Sequence, residues 1–202
     1  MRIVVASIRL LVALGGAASI VATLLDTASR TPINPFNFFG YFTMQSNILT
    51  VVMLLGTALL GFAGRKQSAG WSLFRACVTT YIVIVGIVYN TLLTGLEGGI
   101  TLEWANTVLH LAIPIYVALD WILIGDRRAV PWAKLWIVAI YPIVWIAVVL
   151  VRGATDGWVP YPFLSPTLGY GVVAVYCLGI AGAIIAVGAL VWAISRIRVI
   201  RA

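Results

Sequence analysis

The sequence predicts an all-α integral membrane protein: a six-transmembrane-helix bundle, one domain over residues 1–202, with N and C termini cytoplasmic. Three observations predict it. Of 202 residues, 62% are hydrophobic and 9% charged, whereas a soluble domain is about a quarter charged, so the chain lacks the polar surface to cover itself in water. Its apolar runs are long and continuous, without the period-2 alternation of a membrane barrel. Nearly all its Lys and Arg stand at one set of run ends.

Six runs are long enough to cross about 30 Å of hydrocarbon; they lie near residues 3–25, 38–62, 71–94, 104–124, 132–151 and 169–195. The first is too long for a signal-peptide core and is interrupted by Arg9, so it reads as a retained span. Its Gly15, Gly16, Ser19 and Ala22 allow close approach of a neighbouring helix. The second, third and fourth runs carry polar stripes at helical spacing. The fourth and fifth contain Pro114 and Pro142, which kink a helix. The breaks, near 31–37, 64–70, 95–103, 125–131 and 152–166, are polar or rich in Gly and Pro. In the last of them Pro160, Pro162 and Pro166 exclude a regular helix. Trp158, Tyr161 and Phe163 suit either an interfacial anchor or a lid that contacts substrate.

Charge sets the expected orientation. Arg2, Arg65, Lys66, Arg75, Arg127, Arg128, Lys134, Arg196, Arg198 and Arg201 mark one side, which the positive-inside rule makes cytoplasmic. Arg30 and Arg152 stand on the other, beside Asp26, Glu97, Glu103 and Asp156. The net charge of +7 is therefore topology signalling, and no basic patch for nucleic acid forms. Cys77 and Cys177 fall inside apolar runs without metal spacing and read as packing residues. One histidine and scattered carboxylates make no zinc site, and no cofactor is implied.

Polar groups at membrane depth need partners or a function. Thr43, Ser46, Asn47, Thr50, Thr57 and Gly61 share one face of the second run. Arg75, Thr79, Gly86, Asn90 and Thr94 share one face of the third, and Glu103, Asn106, Thr107 and His110 one face of the fourth. These stripes are expected to face one another. Thr43 and His110 both fall about 8 Å below the outer boundary at 1.5 Å per residue, with Asn47, Asn90 and Asn106 in the same layer. Such a layer suits acyl transfer: His110 as base activates the weak Thr43 nucleophile. Asn106 or Glu103 orients the imidazole, Asn47 donates to an oxyanion, and Asn90 serves either part. Arg9 and Asp120, at matching depth near the cytoplasmic side, read as a structural ion pair.

Three motifs resemble a known family. Trp104-x-Asn106 with His110 four residues on and Asp120 ten later is similar to the fourth span of the androgen-induced / androgen-dependent TFPI-regulating membrane protein family. Gly157-Trp158-Val159-Pro160-Tyr161-Pro162-Phe163-Leu164 resembles its Trp-Val-Tyr-Pro-Phe-Leu loop, and Tyr41-Phe42-Thr43 its aromatic-apolar-Thr motif. The resemblance covers about residues 38–195, in the manner of a bacterial-type relative. It departs at Met44-Gln45-Ser46-Asn47, where the family is more apolar, and at the extra Pro160. It implies an intramembrane threonine hydrolase of fatty acid esters of hydroxy fatty acids, its nucleophile on Thr43 and its histidine on His110. The expected partners are membrane lipids and a lipid ester, in the plasma membrane. The alternative is a small transporter or lipid-binding protein with a polar layer near the outer leaflet; a single histidine also leaves quinone contact open.

Overall fold

The computed structural model describes residues 1–95 and 102–200; Glu97 and Arg201, used above for orientation, lie outside the described residues. Six helices are long and apolar enough to cross a membrane: α1 (Arg2–Arg30), α2 (Phe42–Phe62), α3 (Ala69–Leu93), α4 (Glu103–Leu123), α5 (Trp132–Thr155) and α6 (Tyr170–Ile194). Among the described residues there is no strand, only one bridge between Ile124 and Ile200. The first and fifth helices outrun their expected ends, because neither Asp26 in α1 nor Arg152 in α5 interrupts the backbone ladder. Consecutive helices alternate in direction, so each end of the bundle collects three helix starts and three helix ends.

Half of the most apolar stretch of α3 is buried, against 17% for α5 and 22% for α6, so α3 is the central post and the last two helices form an outer wall. Small residues bring α1 against its neighbours. A Cβ on Gly61 of α2 would lie 3.0 Å from Ala6, and one on Gly16 would lie 2.9 Å from Ile113 of α4. The exterior is apolar, with Leu11, Leu59, Val144, Val175 and Leu178 all exposed.

At one end of the bundle a buried ion cluster ties α1, α3 and α4 together. Arg9 Nε donates to Asp120 at 2.9 Å, and Arg75 Nη2 donates to the same carboxylate at 2.6 Å. Asp126, just past α4, accepts from Arg9 Nη1 at 2.5 Å and Arg75 Nη1 at 2.7 Å. Arg9 and Asp120 are thus two members of a neutral set of four. Two guanidiniums against two carboxylates satisfy each other where one pair leaves donors unpaired. The opposite end, called the loop end below, carries the segment between α5 and α6. That segment is two 3-10 turns, Pro162–Leu164 and Pro166–Leu168, which its prolines permit at their first positions.

Two π-turns change the register of the polar stripes. α3 ends in one over Tyr89–Leu93 and α4 contains one over Val108–Ala112. A π-turn closes its hydrogen bonds one residue later than an α-turn, so faces read at 3.6 residues per turn drift across it. Accordingly the α2 stripe is buried from Thr43 through Thr57, and Arg75 and Thr79 are buried on α3. Asn90, Glu103 and Thr107 are exposed, and the three stripes do not face one another along their whole length.

Candidate active site

Thr43 lies in the first turn of α2, where backbone N–H groups have no partner within the helix. The N-cap, Tyr41, makes no side-chain hydrogen bond to that turn. Tyr161, from the segment between α5 and α6, fills the gap. Its phenol oxygen accepts from the Thr43 amide at 3.2 Å and exchanges a hydrogen bond with Thr43 Oγ1 at 3.1 Å. Burial pushes the Tyr161 phenol up to about 12, against the opposing hydrogen bonds from Thr43, so it stays a neutral donor at physiological pH.

Local packing holds Tyr161 there. Phe163 stacks on it with ring centroids 5.3 Å apart, and Tyr41 meets its edge at 5.7 Å. Trp158 packs over Gly40, where a Cβ would lie 2.6 Å from the indole, and the Arg152 guanidinium lies over its ring at 4.2 Å. Arg152 also donates to Asn37 Oδ1 at 2.8 Å, tying the segment to the chain before α2. Next to Arg152, Asp156 accepts from the Trp158 amide at 2.9 Å. That bond and the guanidinium hold its carboxyl below the usual range.

Below Thr43 and Tyr161 lies a cavity of about 120 Å³, walled by Ile84, Val85 and Val88 of α3, Pro142, Ile143 and Ile146 of α5, and Cys177, Ile180 and Ile184 of α6. Tyr89 and Phe163 also line it. Apart from Thr43, Tyr161, Tyr89, Trp145 and Cys177 its lining is hydrocarbon, as ligand pockets usually are. Ile143 and Ala181 line the cavity and are also exposed, so it opens on the apolar flank between α5 and α6. Of the three lid residues, Tyr161 and Phe163 line the cavity. Trp158 instead borders a second, larger pocket with Phe36 and Arg152.

His110 stands behind one wall of this cavity. Its ring stacks on Tyr89 with centroids 3.9 Å apart and planes 26° apart. Nδ1 pairs with the Asn106 carbonyl at 3.0 Å. A carbonyl only accepts, so Nδ1 carries the hydrogen and Nε2 is the acceptor nitrogen. Asn106 therefore orients the imidazole through its main chain, while its side-chain amide donates to the Tyr89 hydroxyl at 2.6 Å. No hydrogen bond among the described residues joins Thr43 to His110, and the Thr43 hydroxyl is engaged by Tyr161. Glu103 is exposed at the start of α4, and among the described residues no hydrogen bond or ion pair joins it to the imidazole.

Asn47 and Asn90 perform a paired task that the sequence did not disclose. Pro114 has no N–H to give the carbonyls of Leu109 and His110, one turn before it in α4. Asn47 Nδ2 donates to Leu109 O at 3.3 Å and to Thr43 O in its own helix at 3.0 Å. Asn90 Nδ2 donates to His110 O at 3.3 Å and to Gly86 O at 2.8 Å. Each amide thus spends one hydrogen on its own helix and one on α4. The shared Asn47 amide sets the main chains of Thr43 and Leu109 side by side. Gly86 makes the arrangement possible, since a Cβ there would come within 2.9 Å of Pro114. The groups that touch the Thr43 hydroxyl and the imidazole are instead Tyr161 and the Asn106 carbonyl.

Comparisons of the chain with protein-family models, with curated proteins and with solved structures find no match.

Proposed function

We propose that this chain spans a membrane six times, with both termini cytoplasmic, and hydrolyses a carboxylic ester carried by a lipid. Thr43 is the nucleophile and His110 the base. One observation carries the reading: a hydroxyl, a helix-start amide with no partner in its own helix and a neutral phenol converge at one end of a mostly apolar cavity that opens sideways. Lipid entering between α5 and α6 brings its ester to these groups without leaving an apolar medium.

The ester oxygen displaces the Thr43 hydroxyl from Tyr161 and accepts from both the phenol and the Thr43 amide. These donors then stabilise the negative charge that develops on it. The freed hydroxyl attacks the carbonyl carbon as its proton passes, through a water, to Nε2 of His110 behind the Tyr89 wall. The C–O bond breaks, the imidazolium returns the proton to the departing alcohol, and an acyl-threonine remains. Water, deprotonated by the same nitrogen, releases the acid and restores Thr43. The similarity of the Trp104–His110 and Gly157–Leu164 motifs to the androgen-induced / androgen-dependent TFPI-regulating family supports the same pair, with fatty acid esters of hydroxy fatty acids as candidate substrates. The plasma membrane is the proposed location.

The test is labelling with a fluorophosphonate probe followed by mass spectrometry. Labelling of Thr43 in the wild type, and none in Thr43→Ala, is the expected result. Equal labelling of both proteins removes Thr43 from the nucleophile's role. A second reading, lipid binding or transport without turnover, is favoured by the Thr43–Tyr161 hydrogen bond, which turns the hydroxyl away from a base. It expects lipid retained by the purified protein and no labelled threonine.

A further inference from the structure

We propose that Tyr89 is a positioning residue for His110: its ring face fixes the plane of the imidazole and stabilises the imidazolium that forms when the proton leaves Thr43. This rests on the reading of Thr43 as nucleophile and His110 as base, and adds a residue to that site.

Orienting an imidazole takes two constraints. The bond from Nδ1 to the Asn106 carbonyl, 3.0 Å long, fixes one ring atom and leaves the ring free to turn about that bond. The Tyr89 ring removes this freedom by covering one imidazole face, with planes 26° apart. Tyr89 is itself tethered, since its hydroxyl accepts from Asn106 Nδ2 at 2.6 Å. Asn106 thus holds the imidazole with its main chain and the phenol with its side chain. Nε2 lies in the plane of the imidazole, so a ring stacked on the face leaves it open, and no hydrogen bond among the described residues engages it.

The closeness of the pair suits a cation. Neutral aromatic rings usually pack with centroids about 4.5–7 Å apart, and these two are 3.9 Å apart. A cation within about 6 Å of an aromatic centroid is drawn to the negative ring face, most strongly away from water. His110 is neutral before the reaction and cationic once it holds the proton from Thr43, so the attraction to Tyr89 grows as the charge does. An interaction of this kind raises kcat and leaves KM nearly unchanged. The backbone is irregular at both members of the pair. Tyr89 opens one π-turn and His110 stands at the centre of the other, and π-turns are rare and frequently mark functional sites.

The experiment uses the full-length protein in detergent micelles. Tyr89→Phe keeps the ring face and loses the hydroxyl, whereas Tyr89→Leu keeps apolar bulk and loses the face. Asn106→Ala frees the phenol and leaves the carbonyl on Nδ1. Hydrolysis of p-nitrophenyl octanoate gives kcat and KM. Tyr89→Leu should lose about thirtyfold in kcat, equivalent to about 2 kcal/mol, with KM within about threefold of wild type. Tyr89→Phe and Asn106→Ala should each lose about fivefold in kcat, as for one lost hydrogen bond. The second readout needs no turnover. The chain has one histidine, so the imidazole proton resonances in an NMR spectrum belong to His110 alone. The Tyr89 face should hold them upfield in wild type and Tyr89→Phe and release them in Tyr89→Leu. Thermal melting identifies the folded variants. If Tyr89→Leu does not fold, Asn106→Ala decides: a fall in kcat with the resonances released supports the role, and wild-type kcat overturns it. Equal kcat losses in Tyr89→Phe and Tyr89→Leu, a loss confined to KM, or resonances unmoved in folded Tyr89→Leu overturns the part of the ring face and leaves the hydrolase standing. A wild type that hydrolyses nothing, with its resonances upfield, removes the hydrolase and with it any part for Tyr89 in turnover.

Discussion

Replacing Asp120 with Asn removes one negative charge from a cluster of two guanidiniums and two carboxylates and changes little in volume. Asp120 accepts from Arg9 at 2.9 Å and 3.2 Å and from Arg75 at 2.6 Å, and both arginine side chains are 1% exposed. The asparagine would turn an NH₂ group toward at least one guanidinium donor, and Asp126 alone would then face two positive charges. Unit charges about 4 Å apart interact by about 4 kcal/mol at an effective dielectric constant near 20. Removing one partner of a buried ion pair costs about 3–5 kcal/mol. At about 2–4 °C per kcal/mol for a chain of this size, the melting temperature in detergent should drop by about 10 °C. The assay is thermal melting of Asp120→Asn, Arg9→Gln and the double variant. Because the double variant restores charge balance through Arg75 and Asp126, its loss should fall short of the sum by at least about 1 kcal/mol. Turnover per folded molecule should hold, since the cluster lies at the opposite end of the bundle from Thr43. A shift under about 2 °C, or a strictly additive double variant, would refute the assignment of the cluster as the clamp on α1, α3 and α4.

Four further outcomes are expected. Gly86→Ala should lower stability by about 1–3 kcal/mol in thermal melting, because its Cβ meets Pro114 at 2.9 Å. Asn47→Leu, which leaves the Leu109 carbonyl without its interhelical donor, should cost about 1–2 kcal/mol by the same measurement. Tyr161→Phe should reduce kcat by about 10²–10³ with a smaller change in KM, read from ester hydrolysis; an equal loss through KM alone would make the phenol a binding group. The fourth concerns acid. Burial alone would raise the Asp126 carboxyl, but Arg75 and Arg9 outweigh burial and hold it well below the usual carboxylate range. Its stabilisation is therefore complete above the unfolded value of about 4 and fades as pH falls toward the lower folded value. Melting temperature should be level from pH 6 to 8 and fall below about pH 4.

Local chemistry made much of this protein legible from its sequence. Hydropathy over 20-residue stretches located all six helices, because an apolar run either buries its backbone in a helix or leaves it unsatisfied. Helical spacing identified the buried face of α2, which has no irregular turn, and matching depth paired Arg9 with Asp120. Arg75 was visible in the stripe on α3, yet its charge pointed to a loop signal, and Asp126 lies past the end of α4 where periodicity carries no information.

The tertiary structure decided the rest. The π-turns at Tyr89–Leu93 and Val108–Ala112 reset the faces of two helices, and a constant 3.6-residue period cannot foresee an extra residue. The segment after α5 folds inward and gives the Thr43 hydroxyl to Tyr161, a contact across 118 positions that no local pattern encodes. Asparagines at 47 and 90 turn toward α4 because Pro114 leaves carbonyls there without donors. The sequence by itself determined which stretches bury their backbone in a helix. Which side chains meet between helices depends on register and on a returning loop, and these are set by packing across the whole bundle.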